Sequence, residues 1–319
     1  MTVDGVAAQM RTAARALLAA LDGPARELAA RPFGDEGARR WLEYRPRPRP
    51  GGCFADLDRT ARKAAHRLLA TGLGEHAYAQ AMTVIALEEV LDRREGWARG
   101  RHSADYWVAV FGDPAGDGPW SWRVEGHHLS VSMTVVGDEV SPAPVFLGAN
   151  PARVGWAGHA VSRPLAPEED LARALLAAVG AAGRDAAVVA AVPPGDIRSG
   201  PRPRAGAPLD PLGLSSARLR PTARALLDQL VGLYLDRLPP ELATREAARA
   251  GAGELHFAWE GPTTPGLPHY YRVQADDLLI EYDDTAGGNH LHTVLRRPRS
   301  DFGDDVLARH RGTHPHPGV

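Results

Sequence analysis

The chain has 319 residues, an apolar fraction of 44% and a formal net charge of −2 at pH 7. That length allows one large core or two closely packed halves, and the apolar fraction excludes wholesale disorder. The charge is near neutral and no basic patch is interleaved with aromatics, so a nucleic-acid partner is not expected. Cys53 is the only cysteine, which rules out an internal disulfide and a multi-thiolate zinc site. It sits in a Gly-Gly-Cys-Phe loop with no neighbouring base and reads as an incidental thiol.

Residues 3–31 read as one or two Ala-rich helices punctuated by Gly23-Pro24. Asp4, Arg11, Arg15 and Asp22 break the apolar run, giving an amphipathic helix rather than a secretion signal. Residues 35–44 form a short arm. The Arg-Pro alternation of 44–52 predicts an extended strap, because each Pro pushes its predecessor out of helical geometry. Helices are predicted over 57–72 and 76–94, where apolar residues such as Ala65, Leu68, Leu69, Val84, Ile85 and Leu91 recur at helical spacing. A meander begins at Tyr106. Val131, Met133 and Val135 alternate with Ser132 and Thr134 as in a half-buried strand, and Val145–Leu147 is another short strand. Pro167 and early acids start a helix at Glu168–Val179. Residues 193–218 read as a long irregular connection, rich in Pro, Gly and Arg. Helices at 221–236 and 240–250 lead into a second meander at 254–297. The end, 312–319, reads as a frayed polar tail carrying His314 and His316. No stretch is long enough to span a bilayer, and a cytoplasmic protein without a membrane partner is expected.

The two meanders resemble each other. Residues 107–134 align with 256–283 without a gap at an offset of 149, which places Gly112 on Gly261, Pro119 on Pro268, Arg123 on Arg272 and Leu129 on Leu278. The preceding helical stretches share Thr-Ala-Arg at 60–62 and 222–224. The expected fold is therefore α+β: a duplicated helix-plus-antiparallel-meander unit behind an N-terminal helical segment. The organisation reads as 1–52 N-terminal helices and strap, 53–192 first repeat, 193–220 connection, 221–311 second repeat and 312–319 tail, in one compact domain. Whether the meanders share one sheet or face each other as two is left open.

Function is expected where the copies diverge. In Asn289-His290-Leu291-His292, residues two apart on a strand share a face, so His290 and His292 would project in parallel toward one metal. Glu281, His269 and His256 fall within the same unit and are candidates to complete the set, Glu281 also as a catalytic acid or base. At the same offset the first copy has Trp107, Trp120, Ser132, Ser141 and Ala143, none of them a matching imidazole or carboxylate ligand. The first copy instead carries His127-His128. Adjacent strand residues point to opposite faces, so one metal would not take both. His128 shares parity with Ser130 and Ser132 and is the candidate cross-repeat ligand or acid/base. Arg272, Tyr271 and Asn289 are candidate substrate contacts, although Arg272 matches Arg123 across the repeat and also reads as half of a symmetric ion pair. Asp283 and Asp284, before Thr285-Ala-Gly-Gly, read as turn chemistry.

Imidazoles with a carboxylate suit zinc, iron, copper or nickel, so the expected cofactor is a divalent transition metal. Phosphate loops, nucleophile elbows, His-Glu-x-x-His helices and dinucleotide fingerprints are missing from the sequence. The ordered motifs YWVAVFGDP, WSWRVEGHHLSVSMTVV, FLGANPA, HFAWEG, LLIEYDDT and NHLHTVLRRPRSDFG resemble the bacterial family catalogued as domain of unknown function 3500. The resemblance runs from about Arg39 to Arg309. It implies a shared fold and a shared His-containing site, but no reaction. At 283–286 this chain departs from the family, reading Asp-Asp-Thr-Ala in a shortened loop. The leading expectation is a metal-dependent enzyme acting on a small molecule, most simply by hydrolysis. The alternatives are a mononuclear iron or copper oxidoreductase, and a non-enzymatic binding or scaffold protein whose histidines are structural.

Overall fold

The structure is a computed structural model that describes residues 5–206, 208–285 and 287–313; Ala286 and the tail histidines His314 and His316 lie outside them. Helices α1 (Val6–Ala20) and α2 (Gly23–Ala29) lead into β1 (Ala30–Arg31) and the helical turn α3 (Glu36–Arg39). A first strap reaches β2 (Gly52–Cys53), helices α4 (Arg59–Thr71) and α5 (Glu75–Arg94), and the meander β3 (Tyr106–Phe111), β4 (Trp120–Gly126) and β5 (Leu129–Val136). Strands β6 (Glu139–Ser141) and β7 (Val145–Ala149) follow, then the exposed hairpin β8 (Val154–Trp156) and β9 (His159–Ser162). Next come α6 (Ala166–Ala178), α7 (Gly180–Ala187), β10 (Val188–Ala190), a second strap and β11 (Leu214–Ser215). Helices α8 (Pro221–Leu235) and α9 (Pro240–Gly251) precede the second meander, β12 (His256–Glu260), β13 (His269–Ala275) and β14 (Leu278–Asp284). Strand β15 (Leu291–Arg296) and α10 (Asp304–Thr313) complete the described chain.

This is an α+β fold built on one large mixed sheet, in the order β1-β3-β4-β5-β7-β15-β14-β13-β12-β10, with β2, β6 and β11 attached at the sides. The sequence left one or two sheets open; the antiparallel pairing of β7 with β15 joins the halves into one. Register repeats at the offset of 149. Trp107 faces Glu125 as His256 faces Gln274, and Trp120 faces Val135 as His269 faces Asp284. The edges correspond too: β1 runs parallel to β3 and β10 parallel to β12, with Arg31 on Phe111 and Ala190 on Glu260. Residues 30–31 and 188–190 form these edge strands. Too short to show a period of their own, they carried no strand signal in the sequence.

The two faces of the sheet differ in chemistry because strand side chains alternate. One face carries Tyr106, Val108, Val110, Trp120, Trp122, Val131, Met133, Trp259, Tyr271, Val273 and Ile280. It packs in one apolar core with α1, α4, α5, α6 and α8. In α4 the buried residues are Ala61, Ala65, Leu68 and Leu69, the inward stripe of an amphipathic helix. Asp58 caps that helix by accepting from the Ala61 amide at 2.7 Å, a contribution of about 1 kcal/mol. The opposite face is polar and yet buried, with Arg123, Glu125, Glu260, Arg272, Glu281, Asp283 and Arg296 beneath the two straps. Its small apolar patch joins Tyr44 of the first strap and Ile197 of the second to Phe146, Val294, Leu42 and Phe302. No helix among the described residues is long and apolar enough to cross a membrane.

Candidate metal centre

Three strands bring the first histidine to the other two. Leu129 of β5 pairs with Leu147 of β7, and Gly148 of β7 pairs with His292 of β15. His128, in the β4–β5 turn, accepts at its carbonyl from the Gly148 amide at 2.8 Å. His128, Gly148 and His292 therefore form one row across the sheet. Neighbouring strands are about 4.8 Å apart, so the two histidines start roughly 10 Å apart at the backbone and their rings lean together over Gly148. His128 adopts φ 61°, a left-handed conformation in which His is enriched among non-glycines. The first strap holds it there: the His128 amide donates to the Tyr44 carbonyl at 3.0 Å.

His290 completes the group. It stands just before β15, not within it, yet its ring reaches the same point. His290 Nε2 lies 2.8 Å from His128 Nε2 and 3.1 Å from His292 Nε2. The candidate ligand atoms of these three residues all lie within 4.8 Å of one another. His292 Nδ1 lies 2.8 Å from Asp196 Oδ1 in the second strap, and Tyr44 donates its hydroxyl to Asp196 Oδ2 at 2.8 Å. A carboxylate on Nδ1 fixes the proton there and leaves Nε2 as a bare lone pair. The three nitrogens cannot satisfy one another: an imidazole Nε2 either donates or accepts, so at most one of the two close contacts is a good hydrogen bond. A single cation among them would satisfy all three.

The electrostatics favour neutral rings at His128 and His290. Burial, then the neighbouring His127, His292 and His290, push His128 well below the usual imidazole range. Burial and then His292 push His290 down to about 4. Against the cost of burial, hydrogen bonds from His292 and Tyr44 hold the Asp196 carboxyl below its usual value. The pair is not sealed in, since the His292 and Asp196 side chains are 13% and 40% exposed. Asp283 pairs directly with His292 on the neighbouring strand, and its ligand atom lies within 4.8 Å of those of His292 and Asp196. Its Oδ1 is buried without a hydrogen-bond partner among the described residues, and burial pushes the carboxyl up to about 8.

The other sequence candidates stand elsewhere. Glu281 shares the polar face but pairs with Val294, one pleat repeat from the His292 row. Its oxygens accept from the Arg198 amide at 2.6 Å, the Ser199 amide at 3.2 Å and the Tyr270 hydroxyl at 2.8 Å, so it anchors the second strap. His269 lies on the helix side, stacked on Trp259 with centroids 4.7 Å apart, and Arg173 Nη2 is 3.2 Å from its Nδ1. His256 begins β12 opposite Gln274, in a row that runs through Leu279 to Arg296, four residues along β15 from His292. Arg272 donates to Glu260 at 2.6 Å and to the Pro211 carbonyl, while Arg123 binds Glu125 and the Ala38 and Pro50 carbonyls. Both arginines clip a strap to the sheet. Tyr271 points into the apolar core and donates to the Glu168 carbonyl at 2.8 Å. Asn289 accepts from the Arg153 amide at 2.6 Å, tying the loop before His290 to the root of the β8–β9 hairpin. Asp283 and Asp284 end strand β14 rather than forming the turn expected of them.

Sequence reasoning missed Asp196, Tyr44 and Gly148. Asp196 carried no signal beyond its place in a long Pro-rich connection. Gly148 has a clear steric role: a Cβ there would meet the Leu291 carbonyl oxygen at 2.8 Å, His128 Cδ2 at 2.9 Å and His292 Cδ2 at 3.1 Å. Gly148→Ala is expected to splay the two rings and to lower metal affinity by about tenfold or more, the scale of a displaced ligand support. Overpacking should cost about 1–3 kcal/mol of stability. Competition titration against a chelator measures the affinity, and an unchanged metal affinity would contradict the geometry.

The chain belongs to the family described as Protein of unknown function (DUF3500), whose family model matches residues 4–304. Comparison with curated proteins and with solved structures finds no match.

Proposed function

We propose, starting from membership of a family that brings no reaction with it, that this protein is a metal-dependent enzyme acting on a small molecule. One observation carries the reading: three imidazole Nε2 atoms, drawn from both halves of the sheet, converge on one point. His128, His290 and His292 would hold one divalent transition metal. Ligand nitrogens at about 2.0–2.1 Å in a tetrahedral site leave a fourth position for water or substrate. Tetrahedral angles at that radius would set the nitrogens about 3.3 Å apart, so the His290 ring would need to draw away from His128 and His292 by only about half an ångström or less.

A metal held there would supply a Lewis acid able to activate water, which makes hydrolysis the leading reaction class. The chain's own residues do the rest. Asp196 orients His292 and makes it a stronger ligand, and Tyr44 fixes Asp196. Asp283, at the edge of the cluster with its Oδ1 unpartnered among the described residues, is placed to give or take a proton from a group bound there.

The test is elemental analysis of untagged protein after extensive dialysis. The expected result is close to one equivalent of zinc, iron or copper per chain, and the metal found separates the hydrolytic reading from an oxidative one. Protein that carries no transition metal, and takes none up when metal is supplied, ends this reading and leaves the histidines as structural groups of a binding protein.

A further inference from the structure

A cleft of about 430 Å³ opens beside the first strap, on the far side of His127 from the three converging histidines. Two segments remote in sequence supply its guanidiniums: Arg47 and Arg49 from the strap, Arg99 and Arg101 from the loop after α5. Only two carboxylates, Glu88 and Asp105, share the lining. Glu88 is already engaged, with Oε1 2.6 Å from His127 Nδ1. Among the lining residues guanidiniums outnumber carboxylates four to two, with Glu43 and Glu95 standing behind Arg47 and Arg99.

The four arginines are not equivalent. The Arg49 side chain is wholly buried and gives its terminal nitrogens to the carbonyls of Glu43, Arg45, Arg47 and Gly126. Among the described residues its Nε has no hydrogen-bond partner, and the Glu125 carboxylate oxygen lies 3.9 Å away. That charge is fixed in place and under-compensated. Arg101 is buried as well and is held by Glu95 at 2.8 Å. Arg47 and Arg99 are the adjustable pair, with side chains 47% and 65% exposed and pairing to Glu43 and Glu95. Glu43 is buried but is also held by Arg45 at 2.8 Å, and Glu95 by Arg101 at 2.8 Å, so either exposed arginine can turn to a ligand without leaving its carboxylate unpaired. Trp107 adds an apolar wall, with the Arg49 guanidinium 5.4 Å from its ring centroid. A cavity of a few hundred cubic ångströms is the size that encloses a small organic molecule.

We infer that this cleft is a binding site for a small organic oxyanion, a carboxylate or a phosphate ester, gripped by Arg47 and Arg99 against Trp107, with the buried guanidiniums of Arg49 and Arg101 behind. The planar fork of arginine matches both oxyanions, since two parallel N–H donors meet two oxygens. The site is built from residues outside the three-histidine group, so it stands whether or not metal fills that group.

Isothermal titration calorimetry on full-length protein treated with chelator tests this, with benzoate, phenyl phosphate and neutral benzamide as probes. The expected result is saturable binding of at least one anion, weakened by salt, with none of benzamide. Preference for benzoate assigns a carboxylate, and preference for phenyl phosphate assigns a phosphate ester. The double variant Arg47→Ala/Arg99→Ala is expected to bind about tenfold or more weakly, the effect of losing a charge-assisted hydrogen bond. Arg99→Glu, at the most exposed of the four positions, repeats the test in a variant that keeps the strap intact. Failure of both anions to bind, or binding that both variants leave unchanged, overturns the inference. Metal content measured on the untreated variants should equal wild type, so loss of this site is separable from loss of the metal reading.

Discussion

His292→Ala is expected to abolish stable metal binding while the fold persists. The substitution removes the one ligand whose Nδ1 is backed by a carboxylate, Asp196 at 2.8 Å. Losing a partner of that kind behind a ligand already costs roughly 10–100-fold in affinity, so losing the ligand itself should cost more than about 100-fold. Stability should change little by comparison. The side chain is 13% exposed and sits at the edge of the Tyr44–Phe146 stack rather than in the main core. Metal-to-protein ratio after dialysis and the urea midpoint of the metal-free protein separate the two effects. Full metal occupancy in the variant would refute the ligand assignment. Unfolding together with metal loss would make the site structural, and a binding or scaffold role would then lead.

Trp122→Ala should do the reverse, destabilising the protein by about 3–5 kcal/mol with no direct effect on the metal ligands. Trp122 is 1% exposed on the helix side of β4, at the centre of the main core. The end of α4 rests against it so closely that a Cβ on Gly72 would lie 2.7 Å from the indole. Removing the indole leaves a cavity beneath a helix that cannot settle inward without dragging its connection to α5. Since a domain is typically stable by only 5–15 kcal/mol, such a loss should lower the yield of soluble protein as well as the denaturation midpoint. A variant within 1 kcal/mol of wild type by urea denaturation would show that the core repacks around the gap.

Much of this was legible in the sequence because it is local. The helical spacing in 59–71 and 75–94 and the alternation through 129–136 are periodic signals that need no knowledge of distant chain. The matched residues at an offset of 149 did more. They placed three strands of each half in the same register, since a slip of one residue would have turned Arg123 or Arg272 to the opposite face. The pairing of His290 with His292 was likewise readable from their spacing.

The rest depended on which strands became neighbours. Only the pairing of β7 with β15 brings His128 of one half to His290 and His292 of the other, and nothing local marks that contact. The same pairing leaves Gly148 between two rings, its missing side chain meaningful only there. The expected acid, Glu281, and the nearer one, Asp283, are two residues apart on the same face, so the length of the β14–β15 connection decides between them. Asp196 and Tyr44 arrive on straps fixed by capping the buried charges of the polar face, not by their own propensities. A sequence determines its elements through short-range periodicity, but a site assembled from several elements is decided by long-range pairing, whose energy is spread over the whole sheet.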